Sequence, residues 1–128
     1  MAFKLTQDTT VSWPVTLSVP TDGGKIQEQR CHAVFDVLDQ ATYQKVITKG
    51  DVAFLMRVVV GFGEDIQDEN GQPLACNKQN KKALFGGPAW RRTGFIAAYM
   101  EAATGHVVEN LKKPSGTGRP GRRRQKRK

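Results

Sequence analysis

The sequence predicts an α+β fold in which an N-terminal β-hairpin precedes a small bundle of about four α-helices. Apolar and polar residues alternate with a period of two over residues 11–38, with a glycine turn in the middle of that stretch. From residue 40 onward, apolar residues recur with helical spacing between glycine and proline breaks. Residues 112–128 carry almost no apolar side chain. We therefore expect a single domain over residues 1–111 and a disordered basic tail after it.

The hairpin is predicted from two segments whose alternate residues are apolar. The first segment places five apolar residues on one face: Val11, Trp13, Val15, Leu17 and Val19. The second places four on one face: Cys31, Ala33, Phe35 and Val37. Residues 21–24 between them tolerate the positive φ angles of a tight turn. Pro14 lies on the outward face and cannot donate a backbone hydrogen bond, so its strand is expected at a sheet edge.

Four helices are predicted, over residues 40–49, 52–62, 78–85 and 88–104. Asp39 and Asn77 are suited to cap the first and third helices, because short polar side chains accept hydrogen bonds from the first turn. Pro88 suits the first turn of the last helix. The second helix is expected to carry a wide apolar stripe that extends through Val59 to Phe62.

The net charge of +8 belongs to one end of the chain. Nine of the 20 Lys and Arg residues lie in residues 112–128, where there is no Asp or Glu, which leaves 11 basic and 12 acidic residues in residues 1–111. A folded nucleic-acid-binding domain usually carries a basic face. With a net charge of −1, the body gives no such signal, and any binding of nucleic acid is expected to come from the tail.

The cysteines and the hydropathy favour a soluble cytoplasmic protein without membrane contact. Cys31 and Cys76 are far apart and belong to no pair motif, which favours a reducing compartment. The N-terminus does not resemble a signal peptide. The longest apolar run is far short of the ~20 residues that a membrane span needs.

No catalytic residue, metal site or cofactor is predicted. The two histidines, His32 and His106, stand in no zinc-ligand spacing with the cysteines, and His32 is expected on the strand face opposite Cys31. The acidic stretch around Asn70-Gly71 fails the calcium-loop pattern, because Ile66 falls where the first carboxylate is required. We therefore expect a solvated turn there, a half-buried cysteine and a surface histidine.

Three aromatic residues of the last helix, Trp90, Phe95 and Tyr99, are the candidate partner-binding residues. Their spacing of five and four places them roughly on one side of the helix. Such a stripe is more often part of the core, and the alternative is a ridge or groove that binds a partner. Arg91 and Arg92 beside them are expected on a solvated face.

The tail is the candidate site for an acidic partner or a polyanion. Its basic cluster consists of Arg122, Arg123, Arg124, Lys126, Arg127 and Lys128. Because no aromatic residue is interleaved to stack on bases, any nucleic-acid binding should be non-specific and salt-sensitive. A weakly selected terminus is the third interpretation.

The order of several short segments resembles a known family. In chain order they are Phe3-Lys4-Leu5-Thr6, Trp13-Pro14-Val15, Val19-Pro20, Ala33-Val34-Phe35, Val60-Gly61-Phe62, residues 66–74 and Ala97-Ala98-Tyr99-Met100-Glu101-Ala102. Over residues 1–111 the chain resembles the tail assembly chaperones of lambda-like siphophages. A strongly basic end is not a defining trait of that family.

The resemblance implies a late, non-enzymatic assembly protein in the host cytoplasm. It would coat and solubilise the tape measure protein, help to recruit the tail tube protein, self-associate or act in many copies, and be absent from the virion. A longer form made by ribosomal frameshifting would contact the tube protein. Two alternatives remain open at this point: a nucleic-acid-binding accessory protein that acts through the tail, and a structural tail or head–tail connector subunit.

Overall fold

In a computed structural model, which describes Phe3, Leu5 and residues 8–105, the chain forms a three-stranded antiparallel sheet and four helices. In chain order the elements are β1 (Thr10–Thr21), β2 (Lys25–Asp36), α1 (Gln40–Ile47), α2 (Asp51–Val58), β3 (Val59–Phe62), α3 (Lys78–Phe85) and α4 (Ala89–Thr104). The strand order is β1-β2-β3. The predicted α+β class is confirmed.

The hairpin has the predicted faces and edge. β1 pairs with β2 over its whole length, from Thr10 opposite Asp36 to Thr21 opposite Lys25, and Gly23 and Gly24 close the turn at φ 84° and 78°. β1 is an edge strand, as Pro14 predicts. Residues 20–30 are exposed throughout and extend the hairpin beyond the core. We call residues 20–30 the arm.

The second predicted helix is too long. α2 ends at Val58, and residues 59–62 form β3, which pairs with β2. Three consecutive β-branched valines and a glycine are poor helix formers, and the edge of β2 supplies the backbone partners that a strand needs. Val59 and Phe62 still face the core, because a β-bulge opposite Val34 and Phe35 leaves Val60 on the outer face.

The core lies between one face of the sheet and the helices. α4 packs along β1, and four of its residues are buried there: Gly94, Phe95, Ala98 and Tyr99. The Tyr99 ring meets Phe54 edge-on at a centroid distance of 4.9 Å and Phe35 at 6.0 Å. Its hydroxyl accepts a 3.1 Å hydrogen bond from the Leu38 N–H. These contacts connect the C-terminal end of β2 with α2 and α4.

The predicted solvated turn around Asn70-Gly71 is present. The Asp68 carboxylate accepts hydrogen bonds from the N–H groups of Asn70 and Gln72, and Gly71 has φ 80°. Ile66, at 8 % exposure, anchors the loop in the core. Because the Asp68 carboxylate accepts its hydrogen bonds from within the loop, these bonds stabilise a local turn.

The helices between residues 40 and 104 include none with both the length and the apolar character to cross a membrane.

Candidate functional site

A groove between α1, α2 and α3 has a volume of about 760 Å³. Apolar side chains form its floor: Val46, Val52, Ala53 and Met56. Basic side chains surround it: Lys49, Arg57, Lys78 and Lys82. We call this surface the basic groove. None of its lining residues within the described part of the chain is acidic, so it combines apolar contact area with a positive potential.

A glycine turn and a lysine side chain set the positions of the three helices around the basic groove. Gly50, at φ 101°, turns the chain between α1 and α2. The ammonium of Lys81 donates to the carbonyls of Met56 at 2.9 Å and Val59 at 3.0 Å, where α2 ends and β3 begins. This half-buried lysine fixes α3 beside α2. Lys78 and Lys82 are four residues apart, so they share one face of α3.

Within residues 8–105, only one of the four basic side chains of the basic groove has a carboxylate partner. Arg57 lies 3.2 Å from the Asp36 carboxylate, which also accepts a 2.6 Å hydrogen bond from Thr9. The hydrogen bond from Thr9, with help from Arg57, holds the pKa of Asp36 below its usual range against the effect of burial. Lys49, Lys78 and Lys82 form no ion pair with any carboxylate of residues 8–105. Three cations therefore remain available to an acidic partner.

The predicted aromatic candidates do not form one surface. Phe95 and Tyr99 are each 1 % exposed and belong to the core. Phe95 packs against Phe85 at a centroid distance of 5.1 Å. Trp90, at the start of α4, is half-buried, and the Arg91 guanidinium lies 5.4 Å from its ring centroid. In this structure, Trp90 is thus the member of the three that a partner could reach.

Arg91 and Arg92 were predicted to lie on a solvated face, but the structure places both against the end of α3. Arg92 donates to the carbonyls of Phe85 at 2.8 Å and Gly87 at 3.0 Å, and both arginines are half-buried. These carbonyls lie at the end of α3, where backbone acceptors have no helical partner. Arg92 therefore joins the end of α3 to the start of α4.

The cysteines and His32 form no reactive centre. Burial, with the nearby Asp65 carboxylate, raises the pKa of Cys31 to about 11, so its thiol is protonated at neutral pH. His32 is exposed on the opposite face, as predicted, and its Nδ1 lies 2.7 Å from Asp65. Burial would raise the pKa of Asp65, but hydrogen bonds from the imidazole and backbone N–H of His32 lower it. Residues 8–105 contain no group of three potential metal ligands.

The basic tail residues and His106 lie outside the described residues. Their predicted roles therefore remain predictions from the sequence.

Sequence reasoning missed the basic groove because the charge of residues 1–111 sums to nearly zero. The fold separates that charge: the basic residues of α2 and α3 surround the groove, whereas Glu64, Asp65, Asp68 and Glu69 lie in the loop after β3. The spacing of Lys78 and Lys82 on one helix face was the available signal.

No protein-family model, curated protein or solved structure matches the chain. Function is therefore inferred from the basic groove and from the sequence pattern.

Proposed function

We propose that this protein is a tail assembly chaperone of a long-tailed bacteriophage, and that its basic groove binds helical segments of the tape measure protein. The observation that carries the proposal is the pairing of an apolar floor with a cationic rim in one groove. An amphipathic helix with acidic residues beside its apolar stripe complements both features. The sequence resemblance supplies the identity of the helical partner.

The groove suits transient binding of a helix. Three helices supply its lining, and the proposed arrangement places the apolar stripe of the bound helix on the floor and its acidic residues beside the rim. Solvent-exposed ion pairs accelerate association but contribute little affinity, and salt screens them. A chaperone that must leave before the tail is complete requires contacts of this reversible kind.

In this proposal the protein acts by binding alone. It keeps the apolar stripes of the tape measure protein from aggregating, and it helps to bring tail tube subunits to that protein in the host cytoplasm. Self-association or many copies would cover a long partner. A frameshifted longer form would supply the contact with the tube protein.

The test is co-expression of the full chain with the tape measure protein of the phage that encodes it. We expect the chaperone to keep the tape measure protein in the soluble fraction. We expect Lys82→Glu to weaken the complex about threefold, mainly by slowing association, because it replaces an attractive charge on the rim with a repulsive one. Lys25→Glu makes the same charge change on the arm and is the matched control. If the tape measure protein is equally soluble without the chaperone, or if both variants bind like the wild type, the proposal is wrong.

The basic tail favours a second function, binding of nucleic acid. Deleting residues 115–128 distinguishes the two functions. The chaperone proposal expects tape measure binding to survive the deletion, whereas an accessory DNA-binding protein would lose its only activity. Recovery of the protein from purified virions would instead favour a structural tail or connector subunit.

A further inference from the structure

We propose that the arm edge of β2 binds an extended segment of a partner polypeptide as an added β-strand, with one apolar side chain of that segment in a pocket at the base of the arm. This site lies on a different surface from the basic groove. It does not rest on the proposed function.

Along the arm, the outward backbone groups of β2 have no hydrogen-bond partner within residues 8–105. His32 shows which way they face: its N–H donates to the Asp65 carboxylate at 2.8 Å, and its carbonyl accepts from the Gly63 N–H at 2.8 Å, both on the side away from β1. Backbone groups alternate sides along an antiparallel strand. The N–H and C=O groups of Ile26, Glu28 and Arg30 therefore also point away from β1.

Nothing else in residues 8–105 pairs with that edge. β3 contacts β2 from Ala33 to Phe35, and the chain leaves the sheet at Gly63. A strand placed beside Ile26, Glu28 and Arg30 would continue in line with β3. It would gain a ladder of backbone hydrogen bonds along the arm.

The other edge of the hairpin is protected against such pairing. Between residues 14 and 20 of β1 the outward-facing backbone positions are Pro14, Thr16, Ser18 and Pro20, which lie opposite His32, Arg30, Glu28 and Ile26. Two of these four positions are prolines, which have no N–H to donate, and proline is a common device that blocks strand addition. The contrast between the two edges assigns the arm edge of β2 as the accessible one.

A pocket of about 190 Å³ lies where the added strand would pass the base of the arm. Its apolar walls are Leu17, Cys31, Ile66, Leu84 and Phe95. Polar residues at its mouth include Gln29, Asp65 and Gln67. Alternate residues of a strand face the same side of the sheet, so a residue beside Gln29 and Cys31 would point its side chain into the pocket.

The dimensions and charges define the chemistry of the partner segment. An apolar cavity of about 150 Å³ can hold a benzene molecule, so this pocket suits one side chain of leucine or phenylalanine size. On the outer face, Glu28 and Arg30 present opposite charges to the neighbouring strand. A segment with an apolar residue for the pocket and polar or charged residues on the other face fits both requirements.

The test selects peptides from a displayed library of random nine-residue sequences on the full-length protein. We expect enriched peptides to share one large apolar residue. Glu28→Pro should weaken their binding about tenfold, because it removes an outward N–H without disturbing the pairing with β1. Ser18→Pro makes the same change directly across the hairpin, on the β1 edge, and should leave binding unchanged. Circular dichroism checks that both variants fold.

A second measurement leaves the protein unaltered. N-methylation of those peptide amides that face the β2 edge should abolish binding, whereas methylation of the intervening amides should not. Slowed hydrogen exchange at the amides of Ile26, Glu28 and Arg30 in the complex would support the site. The proposal is overturned if no peptide is enriched, if the two proline variants bind alike, or if the arm edge is already occupied by a second copy that Glu28→Pro releases.

Discussion

At the scale of single residues, Gly94 sets the distance between α4 and β1. A Cβ atom at this position would lie 2.5 Å from the Cδ2 of Leu17 and 2.7 Å from the Thr16 carbonyl oxygen. The leucine side chain could move, but the carbonyl belongs to the strand backbone. The helix can approach the sheet this closely because residue 94 has no side chain.

Gly94→Ala is therefore expected to destabilise the protein, although alanine is the better helix former. Alanine's propensity contributes about 1 kcal/mol, and overpacking of a close contact costs about 1–3 kcal/mol. We expect a net loss of up to about 2 kcal/mol in the free energy of unfolding, measured by urea denaturation. Thr93→Ala, at the exposed neighbouring position, is the control. Equal stabilities for the two variants would contradict the close approach.

The thiol of Cys31 should be the less reactive of the two. Burial raises the pKa of both cysteines, and Cys31 reaches about 11 while Cys76 is half-buried. Because the thiolate is the reactive form, a disulfide reagent at pH 8 should modify Cys76 first and Cys31 on the timescale of unfolding. Mass spectrometry of each cysteine peptide measures this order. Faster modification of Cys31 would show that the sheet face opens to solvent.

The same pKa predicts how stability depends on pH. Between about pH 9 and 11 the unfolded chain loses the Cys31 proton while the folded chain keeps it, so stability falls as the pH rises through this window. Cys31→Ala should show a smaller decline over the same range in urea midpoints. An identical decline in both proteins would assign the effect to other groups.

At the scale of elements, the junction between α2 and β3 depends on a side chain from α3. Lys81 supplies two hydrogen bonds to carbonyls at the junction, and hydrogen bonds to charged groups contribute about 1.5–3 kcal/mol. We expect Lys81→Met to lower the free energy of unfolding, measured by urea denaturation, by an amount in that range. Lys82→Met, one residue further along α3, should change stability by less than about 0.5 kcal/mol because Lys82 is exposed. If the two variants are equally stable, the Lys81 bonds contribute nothing net.

The sequence predicted which helices exist better than it predicted where they end. The caps of α1 and α3 were readable: Asp39 accepts from the Thr42 N–H and Asn77 from the Asn80 N–H, both at 2.8 Å. The end of α2 could not be predicted from the sequence. Val59 and Phe62 fit an apolar helix stripe equally well, and the edge of β2 beside them, which is remote in sequence, decides for a strand.

At the scale of the whole molecule, charge is divided between a groove in the folded body and a basic terminus. Removing residues 112–128 changes the net charge from +8 to −1. We expect the truncated protein to lose its affinity for generic DNA at low salt, because phosphate contacts dominate such binding. Its melting temperature should stay within about 2 °C of the full chain, because the core cluster lies within residues 15–99. Salt titrations of DNA binding and a thermal melt measure both quantities.

Persistent DNA binding by the truncated chain would have a different meaning. It would place the polyanion site in the basic groove, and Lys82→Glu would then abolish what remains. Loss of thermal stability on truncation would instead show that the terminus contributes to the fold.

The sequence by itself determined the α+β class, the hairpin and its faces, the edge position of β1 and the caps, because these depend on residues near one another in the chain. Periodicity and local hydrogen bonding carry that information. The tertiary structure alone decided that Val59–Phe62 is a strand, which residues of the aromatic stripe are interior, and that scattered lysines meet in one groove. Each depends on which distant segment becomes a neighbour, and packing, not local spacing, selects that neighbour.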